Sequence, residues 1–228
     1  MGTKLFSEFK DELQLEMGER TDIESLGGVN FLGVWINSAY MTLATQNKMW
    51  GIRKSFTFPE LETYSTNVTE DGSPTIDVPT DLIVTRHVWD STNDVKLTAI
   101  PFAEYINNTG RATAASEGKP TEYVRNGDYF YLHPTPDAEY TIYIYYRKRP
   151  AKLVDDDDTT VIGAEWDEPI LRLAVSLGLR KLHQYDAAKK EQEFFEDMVR
   201  GIVGIYDQEA LDKDQYLKAD PHYIDHSY

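Results

Sequence analysis

Residues Thr121 to Thr159 read TEYVRNGDYFYLHPTPDAEYTIYIYYRKRPAKLVDDDDT, a run that passes from tyrosine-rich alternation through a basic knot and a proline to four aspartates. Asn126-Gly127 predicts a tight hairpin, because a type I′ turn needs positive φ at both central residues and this pair tolerates it. Thr121 to Arg125 should then pair with Asp128 to Leu132. His133 to Asp137, with two prolines and an acid, predicts a second turn, and Glu139 to Arg147 a third strand, giving a three-stranded meander. Alternation assigns Tyr140, Ile142, Ile144 and Tyr146 to one face of that strand and Thr141, Tyr143, Tyr145 and Arg147 to the other. Phe130 and Leu132 alternate in the same way against Tyr129 and Tyr131. Two readings of the second face stand: half-buried strands in which Tyr fills both sides, or an aromatic contact surface.

Upstream, Lys4 to Met17 places Leu5, Phe6, Phe9 and Leu13 on one helical stripe, with Gly18 as a stop. Asn30 to Met49 predicts a longer helix with a Phe31, Trp35, Ala39, Leu43 stripe. From Ile52 the period falls to two, and Arg53 to Phe58, Thr75 to Val78, Leu82 to Trp89 and Lys96 to Ile100 read as strands. Pro101 to Ile106 suggests a helical turn, and Asn107 to Pro120 a loop. Downstream, Asp167-Glu168-Pro169 signals a helix start. The helix to about Gln184 is apolar on nearly every side, so others must wrap it. Asp186 to about Ala210 predicts a second helix with a stripe that includes Phe194, Phe195 and Val199, and Asp212 to Tyr228 an extended tail.

These elements predict an α+β fold: a bundle of N- and C-terminal helices with an antiparallel β-rich insertion and an extended C-terminal arm. The expected divisions are 1–51 for the N-terminal helices, 52–150 for the insertion, 151–211 for a closing helical hairpin and 212–228 for the arm.

Composition narrows the function. The chain has 228 residues, enough for one domain with an insertion or two small ones. A net charge of -16 argues against a surface that grips nucleic acid. The absence of cysteine removes disulfides, thiolate metal sites and thiol nucleophiles. The charged N-terminus and the lack of a long apolar run predict a soluble chain with no membrane span and no classical export signal. Without such a signal, the Asn67-Val68-Thr69 and Asn107-Asn108-Thr109 triplets carry no glycosylation meaning.

Chemistry has no evident seat. No phosphate-binding glycine loop, nucleophile elbow or HExxH helix is present. Asp155 to Asp158 lacks the ligand spacing, sixth-position glycine and closing glutamate of a calcium loop, and reads as a solvated turn. His222 and His226 are four apart, but Asp220-Pro221 sets them in irregular chain, and a metal site is not expected. His87, His133 and His183 stand alone and read as packing residues. The sequence predicts no enzyme, no cofactor and no metal.

The order of features resembles the head-to-tail adaptor, or connector, proteins of tailed bacteriophages. The resemblance rests on Trp35-Ile36-Asn37, on Val78-Pro79-Thr80-Asp81 followed by Leu82-Ile83, and on Tyr129-Phe130-Tyr131-Leu132-His133-Pro134-Thr135-Pro136. Tyr145-Tyr146 shortly before Pro150, the Asp-rich turn and the closing amphipathic helices add to it, and it spans roughly Gly28 to Tyr206. It implies a virion protein of the neck, assembled in the host cytoplasm, forming a homo-oligomeric ring, usually of twelve copies, beneath the portal. Such a ring extends the DNA channel, passes DNA without sequence-specific binding, and docks nozzle, tail or fibre proteins. The candidate interface residues are Tyr129, Tyr131, Tyr143, Tyr145, Arg147 and Arg149 in the strands and Tyr216, Tyr223 and Tyr228 in the arm. A competing reading is a carbohydrate-binding or fibre-associated module whose strand tyrosines stack on sugar rings. An acidic hydrolase, which needs two facing carboxylates, is the third.

Overall fold

The computed structural model describes residues 4–19, 30–45, 58–110 and 116–217, with side chains placed through residue 204. The chain divides into two compact units, one of residues 1–57 and 151–228 and one of residues 58–150. The expected strand at Arg53 to Phe58 lies outside the described residues except for Phe58.

The first unit is helical: α1 (Phe6–Glu16), α2 (Phe31–Thr45), α4 (Asp167–Lys181) and α5 (Tyr185–Leu217). Of the predicted stripe, Phe6, Phe9 and Leu13 are buried on α1, while Leu5 precedes the helix and is exposed. Its first amides, unsatisfied within any helix, are met from the aspartate turn: Phe6 N donates to the Asp158 carbonyl at 2.8 Å and Ser7 N to that of Asp156 at 3.1 Å. α4 is wrapped by α1, α2 and α5. Gly178 permits the close approach of α2, since a Cβ there would lie 2.8 Å from Trp35 Cε3. The Asn37 amide clasps the chain at Leu153, donating to its carbonyl at 2.9 Å and accepting its N–H at 2.8 Å. One side chain thereby copies a strand pairing. Arg172 draws Glu168, Glu16 and Glu191 together across α4, α1 and α5.

The second unit holds β1 (Glu62–Val68), β2 (Thr75–Asp77), β3 (Leu82–Asp90), β4 (Val95–Ala99), α3 (Phe102–Gly110), β5 (Glu122–Asn126), β6 (Tyr129–His133) and β7 (Thr141–Lys148). They form one seven-stranded sheet in the order β1-β7-β3-β4-β5-β6-β2 that curls into a near-barrel. Its inner face is a core built on Val88, Leu97, Phe130, Leu132, Ile142 and Ile144.

Several expectations are corrected here. The protein is not a helical bundle carrying a small antiparallel insertion: seven strands join in one near-barrel sheet with a core of its own. The sheet is not purely antiparallel, because β4 and β5 run parallel and α3 supplies the crossover that parallel neighbours require. That helix takes four residues from the expected loop at Asn107 to Pro120. Nor do the tyrosine strands form a meander. β5 and β6 pair as predicted, but β7 leaves them to sit between β1 and β3, where both its edges are bonded. In the β5–β6 hairpin, Asn126 pairs with Tyr129 and the loop is Gly127-Asp128. Gly127 alone has positive φ, +63°, the pattern of a type II′ turn rather than I′. Finally, α5 continues to Leu217, into the segment expected to be an extended arm.

Candidate interaction surface

β7 shows how the surface arises. Ile142, Ile144 and Tyr146 point into the core and are buried, while Tyr143 and Tyr145 point outward and are half-buried. The register sets Tyr64 of β1 and His87 of β3 on either side of Tyr145, and Trp89 beside Tyr143. Cross-strand neighbours on one face stand close enough for rings to touch. His87 stacks on Tyr145 at 4.3 Å between ring centroids, and Tyr64 meets Tyr145 at 5.7 Å and Tyr143 edge-on at 5.6 Å. The result is a contiguous aromatic platform on the outside of the sheet. Tyr64, at its rim, is 58% exposed.

Arg147 lies under the platform's edge and is 1% exposed, so strand alternation misjudged its accessibility. Its neighbours are Glu62 on β1 and Val84 on β3, where β3 bulges between Thr85 and His87. The bulge turns Arg86 outward, and its guanidinium reaches across β7 to Glu62, with Nη2 to Oε1 at 2.5 Å and Nε at 3.1 Å from each oxygen. That ion pair passes at the level of Arg147 and helps to cover it. Burial, with Arg86 alongside, holds the Arg147 guanidinium below its ordinary pKa. Arg149 is exposed, and its N–H is tied to the Asp81 carbonyl at 2.6 Å.

The β6 tyrosines belong to a different surface. Tyr131 packs on Tyr105 of α3 at 5.6 Å, with His133 edge-on to the same ring at 6.5 Å. Tyr129, near the hairpin, is 46% exposed. The outward tyrosines therefore divide into an open group on β1 and β7, flanked by His87 and Trp89 of β3, and the β6 pair, of which Tyr131 packs against α3 and Tyr129 stays exposed. Tyr216 falls in α5 with its side chain undescribed, and Tyr223 and Tyr228 lie outside the described residues, as do His222 and His226.

Two core phenols, Tyr146 on β7 and Tyr140 just before it, bond to carboxylates. Tyr146 donates to Asp81 at 2.9 Å, and burial followed by that bond pushes its pKa up to about 12. Tyr140 donates to Asp137 at 2.5 Å, and that bond, followed by burial, has the same effect, to about 12. Asp81, from the Val78-Pro79-Thr80-Asp81 stretch, thus anchors the end of β7 through both side chain and carbonyl.

The aspartate run is a structural turn. Asp158 accepts the N–H groups of Val154 at 2.6 Å and Asp155 at 2.9 Å, which hold its carboxyl below the usual range. Asp156 pairs with Lys10 of α1. Among the described residues no three His, Asp or Glu side chains are placed to hold a metal, and no helix is long and apolar enough to cross a membrane.

Sequence reasoning missed Tyr64, His87 and Trp89 as parts of the platform. β1, ETYSTNV, has only Tyr64 and Val68 as apolar residues, so it gave no strand signal, and cross-strand neighbours appear only once pairing is known.

The sheet unit sets a buried core beneath an outward aromatic platform, and the helices of the other unit are cross-linked by ion pairs. Among protein families, the profile described as SU10 adaptor protein matches residues 5–218. The chain belongs to this family of phage head-to-tail adaptors. Comparison with curated proteins finds no match.

Proposed function

We propose that the protein is the neck adaptor of a tailed phage, assembling as a homo-oligomeric ring beneath the portal, extending the DNA channel and docking nozzle, tail or fibre proteins. The observation that carries the reading is the family match across nearly the whole chain, 5–218. The platform of Tyr64, Tyr143, Tyr145 and His87 supports it as a protein-docking face, with Tyr129 and Arg149 as further contacts, because exposed tyrosine and arginine commonly anchor interfaces. A closed ring of identical subunits needs two different complementary patches on each copy. The helical unit is proposed as the ring wall and the sheet unit as the face for neighbours or tail components. The acidic balance, -16, suits a channel that DNA crosses without adhering. No step of this role calls for catalysis.

Mass measurement in solution, alone and with purified portal rings, tests the reading. The expected result is a ring-sized complex with the portal, and assembly only on that template is consistent with it. A chain that stays monomeric, ignores portal rings and binds glycans overturns it in favour of a carbohydrate-binding module.

A further inference from the structure

Sheet edges offer unpaired N–H and C=O groups, and proteins usually blunt them with short strands, proline, lysine or bulges. The two edges of this sheet differ. β2 is three residues long, whereas β1 runs seven, ETYSTNV, with no proline, lysine or glycine. Among the described residues β1 pairs only with β7. Its inward residues show the consequence: Thr63, Ser65 and Asn67 are half-buried where Ile142 and Ile144 of β7 are fully so. The Ser65 hydroxyl is buried with no hydrogen-bond partner among the described residues. Tyr64 and, at 56% exposure, Val68 stand open along the same strand. Near Asn67 and Val68 the sheet stops short of closing, leaving a cleft of about 230 Å³ whose walls include Glu70, Ser73, Ile76 and Asp77.

We propose that the open edge of β1 receives an extended strand donated by a different protein of the phage neck, closing the seam of the near-barrel on assembly. The inference rests on the adaptor reading and adds the mode of contact, strand addition, in which main-chain bonds give affinity and side-chain pockets give specificity. The chemistry of the edge defines the donor. Glu62 is the one charge on β1 and is already held by Arg86, so the donor is uncharged along its middle. Where it reaches Glu70 and Asp77 it is basic. At roughly 3.3 Å per residue, seven residues of donor cover about 23 Å of edge. A second copy is a poor donor. Antiparallel pairing of β1 with itself sets the Glu62 end of one copy beside Glu70 and Asp77 of the other, on chains of net charge -16. Such a two-fold contact would also tie copies in pairs instead of propagating around a ring.

Hydrogen exchange of the isolated full chain, compared with the same chain in necks purified from virions, reads the edge directly. The β1 amides that point away from β7 should exchange freely in isolation and slow by about 100-fold or more in the neck, as newly bonded strand amides do. Slow exchange in isolation overturns the proposal, whether it is independent of concentration, meaning the chain covers its own edge, or rises with a doubling of mass, meaning a second copy does. Fast exchange in necks that contain the chain overturns the strand contact alone. Absence of the chain from necks overturns the adaptor reading with it. Thr66→Lys, on the edge, should cut neck incorporation roughly tenfold or more with unchanged melting, while Val84→Lys, outward on the interior strand β3, should not. Equal incorporation of the two variants sinks the proposal.

Discussion

The helical unit and the sheet unit cover their cores with opposite kinds of surface. Around α4 the helices close over one another, and their partly exposed flanks are tied by Arg172 to three glutamates and by Asp156 to Lys10. The sheet unit buries its inner face as fully, yet leaves Tyr64, Tyr143, Tyr145 and His87 stacked on the outside. An ion-paired flank adds little to binding and is weakened by salt. Partly exposed aromatic rings retain the apolar area that association can still bury. In the proposed role partner recognition falls to the sheet unit, and substitutions in the two units break that contrast or sharpen it.

The largest effect is expected inside β7. Ile144 is fully buried between Val88 and its neighbours in the sheet core, and Ile144→Ala should cost about 2 to 5 kcal/mol by lost burial and a residual cavity. Denaturant titration measures it. A cost no larger than that of truncating Tyr143 would erase the distinction between the two faces of the strand.

In the helical unit the corresponding weak point is a contact too close for a side chain. A Cβ on Gly178 would lie 2.8 Å from the Trp35 ring and 3.2 Å from Met17 Cε. Gly178→Ala should therefore destabilise by roughly 1 to 3 kcal/mol, as overpacking does, despite the gain in helix propensity. A more stable variant by thermal melting would mean that α2 and α4 separate easily, and that the helical unit is the softer of the two.

Much of this was legible in the sequence because period and burial agree where one face meets a core. The stripes of α1 and α2, the alternation of Phe130 and Leu132, and the two-faced pattern of Tyr140 to Tyr146 all follow from that rule. Pairing did not follow. Alternation says which residues share a face and nothing about which strand lies alongside, so it predicts a meander where β7 lies between β1 and β3 in a seven-stranded sheet. Arg147 failed for a related reason: a bulge in β3, not any feature of β7, supplies the Arg86 side chain that crosses it. Phe194 failed on α5, where it lies outside the buried stripe of Phe195 and Val199 and is 60% exposed.

Alkaline pH separates the units more gently. The phenols of Tyr140 and Tyr146, both in the sheet unit, have pKa values pushed up to about 12, against about 10 in an unfolded chain. A folded pKa above the unfolded one means the neutral phenol is favoured by folding. That contribution is complete below about pH 10 and is lost as pH rises towards 12, when the unfolded chain releases its protons first. Tyr105 and Tyr123 of the sheet unit are raised as well, chiefly by burial, as is Tyr40 in the helical unit. Tyrosinate absorbance followed with circular dichroism should show β signal lost before helix signal as pH climbs through this window. Helix loss first would reverse the assignment.

The smallest effect on stability should come from the platform, and for that reason it is the sharpest test of the contrast. Tyr143 and Tyr145 are half-exposed and face away from the core, so the double variant Tyr143→Ala, Tyr145→Ala loses ring contacts with Tyr64 and His87 but opens no cavity. Cross-strand aromatic pairs contribute about 0.2 to 1 kcal/mol each, an order below the inner face of the same strand. Binding should respond in the opposite sense: truncating central aromatic anchors of an interface costs about 2 kcal/mol or more, which is roughly thirtyfold in affinity. Portal and tail components purified from virions, titrated against this variant and against Ile144→Ala at a temperature where both are folded, separate the two roles. Near-native melting with binding lost assigns the outer face of β7 to recognition. Near-native melting with binding intact returns those tyrosines to ordinary strand surface and leaves the edge of β1 as the contact to pursue.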